Sequence, residues 1–201
     1  MEAKSYGTFS LEDLKQQVPQ NKEGHFLLSS GKHSDRYVEK FDLLRQPVAT
    51  SRACQGFAQA FRNSGVEVVA GPTTGGIILA FEVARQLGVA AAFAERKNDG
   101  PGREFRRGTT FAPGSRVLVV DDILTTGGSV RETLDALHSH PVEVIGVGIL
   151  VDRSGGTVDF GVPLHALVKM QIETWEPADC PLCAQDIPLV KPGTTPGAGK
   201  A

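Results

Sequence analysis

Two adjacent aspartates, Asp121 and Asp122, follow four apolar residues in the stretch VLVVDDILTTGGSV, at positions 117–130. Carboxylates in this position can accept hydrogen bonds from sugar hydroxyls or act beside a magnesium ion. Hydroxyl residues and glycines come next: Thr125, Thr126, Gly127, Gly128 and Ser129. Where such a turn opens a helix, its backbone N–H groups and the helix dipole form a site for a phosphate. The two halves together match a ribose 5-phosphate, and the alternative is a strand end followed by a negatively charged helix cap.

Apolar strands that alternate with helices must position this stretch. We predict strands at residues 66–71, 89–96, 116–122 and 142–152, and helices at residues 47–65, 76–88 and 128–140. Strands that are apolar throughout and alternate with helices indicate an α/β fold with a mostly parallel sheet, covered on both faces. Ligands bind outside the carboxyl ends of the strands in such a sheet, and the acidic pair stands at one of these ends.

The two ends of the chain are less regular. The first part predicts a short helix at residues 11–18, then strands at 26–28 and 37–41 on either side of a Ser-Ser-Gly turn. The last residues, KPGTTPGAGKA, predict a disordered tail. We therefore expect one domain over residues 1–190, in which residues 1–45 form a small hood and residues 157–190 a C-terminal extension, followed by the tail at 191–201.

Composition argues against several classes of protein. The 201 residues carry a formal net charge of −2, which gives no overall attraction to nucleic acid or to an anionic membrane. The longest apolar runs are too short to span a bilayer, and the opening MEAKSYGTFS lacks the apolar core of a signal peptide. Three cysteines are too few for a disulfide scaffold, and they fit a reducing cytoplasm.

The stretch VLVVDDILTTGGSV resembles the phosphoribosyl-diphosphate signature of the type I phosphoribosyltransferases. The resemblance implies that residues 125–129 bind the 5-phosphate of phosphoribosyl diphosphate and that Asp121 and Asp122 face the ribose hydroxyls. It also implies Mg²⁺ as cofactor and a homodimer in which a mobile loop serves the neighbouring site.

Two other segments resemble the orotate phosphoribosyltransferases within that family. FLLSSGKHSDRYVEK, at residues 26–40, resembles their amino-terminal segment, and LVDRSGG, at residues 150–156, resembles their strand end with an Asp-Arg pair. The implied orotate contacts come from Ser29, Ser30, Gly31, Thr125 and Arg153. A guanidinium suits the orotate carboxylate, and the alternative for the arginine is a surface pair with Asp152. The implied reaction transfers phosphoribose to orotate, giving orotidine 5′-monophosphate in pyrimidine biosynthesis.

The stretch GPTTGG, at residues 71–76, stands where the family has its diphosphate loop. The resemblance therefore implies contacts with diphosphate from Thr73, Thr74 and Gly75. Taken alone, the stretch also fits a plain turn between a strand and a helix. Many relatives carry an aromatic residue and a lysine where this chain has Thr74 and Gly75.

Residues 97–114 have no apolar period, which predicts a long loop that is functional or mobile. Arg96 and Lys97 resemble a pair that precedes the mobile loop of many orotate enzymes, and they too are implied to contact phosphoribosyl diphosphate. Further lysines and a histidine of those relatives are missing, and the remaining cations are Arg103, Arg106 and Arg107. Arginine is a poor proton donor, so Lys97 is the candidate for protonating the leaving diphosphate.

The C-x-x-C at Cys180 and Cys183 offers two zinc ligands where four are normally needed. The histidines have no finger-like spacing, so no metal ligand is assigned directly. We interpret the surrounding segment as a structural extension, with a metal shared across a dimer or a disulfide as alternatives.

Two other functions compete with orotate transfer. A phosphoribosyltransferase for a purine base would have an aromatic stack and no need for Arg153. A non-catalytic regulator would keep the fold and sense phosphoribosyl diphosphate, and the altered loop favours this idea. Against it, the sequence has no added helix-turn-helix and no basic excess.

Overall fold

A computed structural model describes residues 21–28 and 31–192. The predicted helix at 11–18, Ser29 and Ser30, and residues 193–201 of the predicted tail lie outside the described residues. The described chain divides into two compact units. The sheet unit contains residues 40–170, and the hairpin unit contains residues 21–39 and 171–192.

The described elements are strands and helices that alternate in the middle of the chain, from β3 to β4 and from β6 to β7. The strands are β1 (Asn21–Leu27), β2 (His33–Val38), β3 (Val68–Pro72), β4 (Ala90–Arg96), β5 (Arg103–Phe105), β6 (Ser115–Leu124), β7 (Val142–Asp152), β8 (Leu164–Lys169) and β9 (Thr174–Trp175). The helices are α1 (Lys40–Leu44), α2 (Pro47–Phe61), α3 (Gly75–Leu87), α4 (Gly128–His138) and α5 (Pro181–Ala184), with a 3₁₀ turn at Pro177–Asp179.

The sheet unit is built on six strands in the order β5-β4-β3-β6-β7-β8. Neighbouring strands are parallel except β4 and β5, which pair antiparallel. Each parallel connection needs a crossover, and α3 and α4 supply those from β3 to β4 and from β6 to β7. The prediction of a mostly parallel α/β sheet flanked by helices is confirmed.

Successive residues of β6 enter two different cores. Leu118 and Val120 belong to the cluster that contains Phe57 of α2, whereas Val117 and Val119 belong to the cluster that contains residues of α4. All four β6 residues are fully buried. Because both faces of the strand are covered, it is apolar throughout, and its end is held firmly in place.

The predicted structureless loop at residues 97–114 is wrong for Arg103–Phe105, which form β5. These residues pair with Ala94, Glu95 and Arg96 at the edge of the sheet. The ring of Phe105 packs edge-on against Phe111, with ring centroids 5.1 Å apart. Edge pairing and aromatic contacts of this kind leave no apolar period in the sequence, which explains the wrong prediction.

The predicted strand at residues 37–41 is wrong in its second half. The strand β2 ends at Val38, and Lys40 begins helix α1. The helix buries Leu43 and Leu44, which are three and four residues beyond its start. This helical spacing overrides the alternation that extends through Phe41. Strands β8 and β9 were not predicted.

The hairpin unit is a three-stranded antiparallel sheet in the order β1-β2-β9. Residue 190 adds a second connection, because the N–H of Leu27 donates to the carbonyl of Val190 at 2.9 Å and the N–H of Val190 donates to the carbonyl of His25 at 2.7 Å. The segments at residues 21–39 and 171–192 are therefore joined at two places.

In the part of the chain described, no helix has the length and apolar character that a membrane span requires.

Candidate active site

The acidic pair lies near the carboxyl end of β6, which continues to Leu124. Asp121 is 7% exposed and Asp122 is 2% exposed. The Oδ1 of Asp121 accepts a hydrogen bond from the N–H of Asp122 at 2.8 Å, and the Oδ1 of Asp122 accepts one from the N–H of Ile123 at 2.7 Å. These bonds fix both carboxylates against the strand that carries them.

Lys40, at the start of α1, is the counterion of Asp122. Its Nζ lies 2.9 Å from Oδ1 and 2.9 Å from Oδ2 of that carboxylate. The side chain of Lys40 is 34% exposed, whereas that of Asp122 is 3% exposed. The ammonium therefore brings a positive charge from the surface to a buried anion.

The carboxyl group of Asp121 has a pKa raised to about 7. Burial is the larger cause and the charge of Asp122 the second, while the Asp122 N–H, Lys40 and Arg103 act in the opposite direction. Burial disfavours a charged carboxylate, and a neighbouring anion adds to this effect. Near neutral pH, Asp121 is therefore present in both its protonated and its ionised form.

We expect Asp121→Asn to stabilise the fold above neutral pH. The raised pKa means that ionisation of Asp121 destabilises the folded state as pH rises from about 4 to about 7. Below pH 4, folded and unfolded wild-type chains both hold the proton, so variant and wild type should then be about equally stable. At pH 8 the variant should gain about 2–4 kcal/mol.

Urea unfolding at pH 4, 6 and 8 measures this difference in the free energy of unfolding. Asp135→Asn is the matched control, because the side chain of Asp135 is 79% exposed. It should show no such trend with pH. A stability difference for Asp121→Asn that stays constant from pH 4 to pH 8 would contradict the prediction.

The loop at residues 71–76 lies directly against the acidic pair. A Cβ placed on Gly75 would lie 1.8 Å from the Oδ2 of Asp122, so a larger residue would displace that carboxylate. The Thr73–Thr74 peptide is cis, Thr74 is exposed, and Gly75 is the first residue of α3. The structure thus brings the loop and the acidic pair together, because β3 and β6 are neighbours in the sheet.

The turn at residues 125–129 leads into α4. Gly127 is the N-cap, with φ +79°, and a Cβ there would lie 3.0 Å from the ring of Phe160. Glycine is required here for its backbone conformation and its lack of a side chain. Thr125, Thr126 and Gly128 are exposed. The first N–H groups of a helix have no acceptor within that helix, so an anion can bind them.

Arg103 connects this turn with the loop at residues 71–76. Its Nη1 donates to the Oγ1 of Thr73 at 2.9 Å and its Nη2 to the Oγ of Ser129 at 3.4 Å. Its Nε lies 3.2 Å from the Oε2 of Glu132 in α4. The side chain of Arg103 is only 2% exposed. This buried guanidinium therefore places a positive charge between two loops that were each predicted to bind phosphate.

The other cations of the 97–114 segment lie differently. Arg106 pairs with Glu104, and Arg107 pairs with Glu95 at 2.9 Å. Arg96 and Lys97 are exposed at the end of β4, and the N–H of Lys97 donates to the carbonyl of Gly102 at 3.1 Å. Among these cations, Arg103 is the one whose contacts reach both predicted phosphate loops.

Arg153 follows β7 at the same edge of the sheet. Its N–H donates to the carbonyl of Leu124 at 2.9 Å, which places it beside the end of β6. Asp152 is buried, and its Oδ1 accepts hydrogen bonds from the N–H and the hydroxyl of Ser154 at 2.8 and 2.6 Å. The aspartate therefore shapes the turn from a buried position. In the hairpin unit, Gly31 has φ +84° and its N–H donates to the carbonyl of Leu28.

Comparison with known proteins places this geometry in a family. The family model of the phosphoribosyl transferase domain matches residues 47–171. The orotate phosphoribosyltransferase of Caldanaerobacter subterraneus is 52% identical over 172 residues, which cover 86% of this chain and 90% of that protein. The protein of the same name from Thermotoga maritima is 46% identical over 172 residues, 86% of this chain and 91% of that one. The chain belongs to the orotate phosphoribosyltransferase family.

Solved structures agree with this membership. The orotate phosphoribosyltransferase of Aeropyrum pernix matches with a TM-score of 0.66 and 28% identity, over 80% of this chain and 93% of that chain. An adenine phosphoribosyltransferase of Thermoanaerobacter pseudethanolicus shares the fold, with a TM-score of 0.65 and 19% identity over 80% of this chain and all of that one. The family predicted from the motifs is confirmed, and so is the assignment of the chain to the transferases.

The sequence alone did not point to two charged residues of the candidate active site in this member of the orotate phosphoribosyltransferase family. The alternation at residues 37–41 predicts a strand that includes Lys40, and this lysine lies 82 positions before its partner Asp122. Glu132 lies one helical turn after Ser129 and is the anion that faces Arg103. A buried arginine needs an acid nearby, and the acids of α4 were the signal available in the sequence.

Proposed function

We propose that this chain transfers phosphoribose from 5-phosphoribosyl 1-diphosphate to orotate, giving orotidine 5′-monophosphate and diphosphate. The observation that carries the proposal is the Thr/Gly turn at residues 125–129, which opens helix α4 just after the strand that carries the acidic pair. Such a site suits a sugar phosphate. The choice of orotate is supported by relatives of that name at 46–52% identity.

In this proposal, the first turn of α4 holds the 5-phosphate through backbone N–H groups and the hydroxyls of Thr125, Thr126 and Ser129. The ribose hydroxyls donate to Asp121 and Asp122. As the bond from C1 to diphosphate breaks, positive charge develops on the sugar ring, and carboxylates fixed beside it stabilise that charge. Lys40 places a positive charge 2.9 Å from the buried carboxylate of Asp122.

The diphosphate is proposed to bind Thr73, Thr74 and Gly75, whose loop opens α3. Arg103 already donates a hydrogen bond to Thr73, so its positive charge stands beside this loop before the diphosphate binds. We extend the proposal to Arg96 and Lys97, with Lys97 protonating the departing diphosphate. Arg106 and Arg107 then belong to the segment that excludes water from the donor.

The base is proposed to bind near Arg153, whose guanidinium can form two parallel hydrogen bonds with the orotate carboxylate. The anchoring of its backbone to the end of β6 supports this role. Thr125 is proposed as a second contact. The contributions of Ser29, Ser30 and Gly31 stay predictions from the motif.

The residues present fit a magnesium ion. Mg²⁺ prefers oxygen ligands and is commonly held by one or two carboxylates together with substrate phosphates. The buried carboxylates of Asp121 and Asp122 are such ligands, and one of them has a raised pKa that a nearby cation would lower. When bound with the substrate, the ion would neutralise negative charge on the diphosphate.

We also propose that the chain forms a homodimer through α2 and α3. Three apolar side chains of these helices are exposed: Val48 at 55%, Ile78 at 37% and Phe81 at 65%. The two helices are joined by a hydrogen bond from Ser51 to Glu82 at 2.6 Å. Exposed apolar residues on adjoining helices favour a protein–protein contact, and a second copy is the proposed occupant. A cytoplasmic location stays a prediction.

Diphosphate release from phosphoribosyl diphosphate tests the proposed reaction. The full chain is incubated with Mg²⁺, the donor and one base at a time: orotate, adenine or hypoxanthine. We expect rapid release with orotate and only the slow background rate with purines. A mixture without base measures that background. Turnover with a purine but not with orotate would overturn the proposal, and the lack of turnover with every base would favour a regulator.

A further inference from the structure

Two histidines and two cysteines converge in the hairpin unit. His25 lies on β1, His33 is the first residue of β2, and Cys180 and Cys183 belong to the C-x-x-C motif around α5. One ligand atom of each residue can be chosen so that all four lie within 4.8 Å of one another. The cysteines of the C-x-x-C therefore lie beside two histidines, which their spacing in the sequence did not indicate.

The distances match a tetrahedral metal site. Zinc bonds of about 2.0 Å to nitrogen and 2.3 Å to sulfur give edges of about 3.3 Å between nitrogens and about 3.6 Å between nitrogen and sulfur. The Nε2 of His25 and the Nδ1 of His33 are 3.0 Å apart. Cys180 Sγ lies 3.4 Å from His25 Nε2, and Cys183 Sγ lies 3.7 Å from that atom and 3.3 Å from His33 Nδ1. The four atoms can therefore share one ion with small shifts.

One ligand is already oriented for a metal. The Nδ1 of His25 lies 2.7 Å from the carbonyl oxygen of Ile187, to which it can donate a hydrogen bond. This bond places the proton on Nδ1 and leaves the lone pair of Nε2 directed into the cluster. Metal-binding histidines usually donate their other N–H to a carbonyl or carboxylate in this way.

Burial and ligand type select the ion. His25, His33 and Cys180 are 2%, 5% and 4% exposed, and the exposed Cys183 leaves a path for entry. Two thiolates and two neutral imidazoles form the Cys₂His₂ set that is typical of structural zinc. The two thiolates also balance the charge of Zn²⁺. Four protein ligands leave no position open for a substrate, so the site is suited to a structural role.

We propose that His25, His33, Cys180 and Cys183 bind one Zn²⁺ per chain. The ion would connect the β1–β2 hairpin to the segment at residues 171–192, between the pairing of β9 with β2 and the backbone bonds of Val190. Binding of a metal to a site that forms only in the folded chain contributes directly to folding. Zinc would therefore cross-link two segments that are far apart in the sequence.

Metal analysis of the full chain tests the proposal. The protein is produced with zinc in the medium, purified without chelators, and measured by inductively coupled plasma mass spectrometry. We expect about one zinc per chain. The variant Cys180→Ser/Cys183→Ser should lose the zinc, whereas Cys54→Ala, which changes the third cysteine, should keep it. Zinc retained in the double variant would overturn the assignment of ligands.

A second measurement covers the case in which the double variant does not fold. Wild-type protein is stripped with a chelator under reducing conditions and reloaded with Co²⁺ or Zn²⁺. We expect the absorption of tetrahedral Co²⁺ with thiolate ligands, and a rise in Tm on the order of 10 °C with Zn²⁺. Absence of metal uptake, or a disulfide between Cys180 and Cys183 in protein purified without reductant, would overturn the proposal. Neither readout depends on turnover.

Discussion

Replacing both carboxylates, in the variant Asp121→Asn/Asp122→Asn, should lower kcat/KM by about 10²–10⁴ while the chain stays folded. A hydrogen bond to a charged group is worth about 1.5–3 kcal/mol, and two such groups would be lost from the transition state. The fold should persist because an asparagine Oδ1 can still accept the N–H bonds that Asp121 and Asp122 accept now. Lys40 loses its anion but is 34% exposed, so water can solvate it.

Steady-state assays with orotate and phosphoribosyl diphosphate measure this effect, and circular dichroism checks the fold. Asp135→Asn again provides the control, because it removes an exposed carboxylate from α4 without touching the acidic pair. The control should keep the wild-type rate. A double variant with a kcat/KM within tenfold of wild type would refute the proposed role of the pair at the ribose.

Arg103→Met should reduce both activity and stability. The substitution removes the charge between the loop at residues 71–76 and the turn at residues 125–129, and we expect kcat/KM to fall by about 10²–10³. It also leaves Glu132 without its partner, and that carboxylate is only 31% exposed. Loss of one partner from a largely buried pair should lower the free energy of unfolding by about 2–4 kcal/mol.

A second substitution separates the two effects of Arg103. In Arg103→Met/Glu132→Leu, the unpaired acid is gone as well, so most of the stability should return. The activity should not return, because the charge between the two loops is still missing. Arg116→Met, which removes an exposed arginine near the start of β6, is the control and should change activity and stability little. Recovery of activity in the double variant would show that Arg103 acts only through stability.

The parallel sheet and the acidic pair could be predicted because their signals are local. The apolar run of β6 and the Asp-Asp-x-x-Thr-Thr-Gly-Gly order stand within one stretch of sequence. Lys40 and Arg103 could be assigned their contacts only in the structure. Each is a single charged residue whose partner is set by the packing of distant elements. The short β5 was missed for the same reason, since edge pairing has no periodic signature.

The proposed zinc site shows most clearly what the spacing of a motif cannot predict. The C-x-x-C was visible, but its proposed partners His25 and His33 stand about 150 positions earlier. Zinc fingers are recognised because all four ligands fall within one short segment. Here the β1–β2 hairpin and the C-terminal segment each supply two candidate ligands, and the antiparallel pairing of β9 and the bonds of Val190 bring them together. Such a set becomes recognisable only when the pairing of the two segments is known.

The location of Asp121 and Asp122 on β6 has a consequence for hydrogen exchange. This strand lies between β3 and β7, and its apolar residues are buried in both cores. Backbone amides in such a strand exchange with solvent mainly when the whole domain unfolds, whereas loop amides exchange through small local openings. The carboxylates therefore stay in place for as long as the slowest-exchanging amides remain protected. The segments around them can open and close many times while the acidic pair keeps its place.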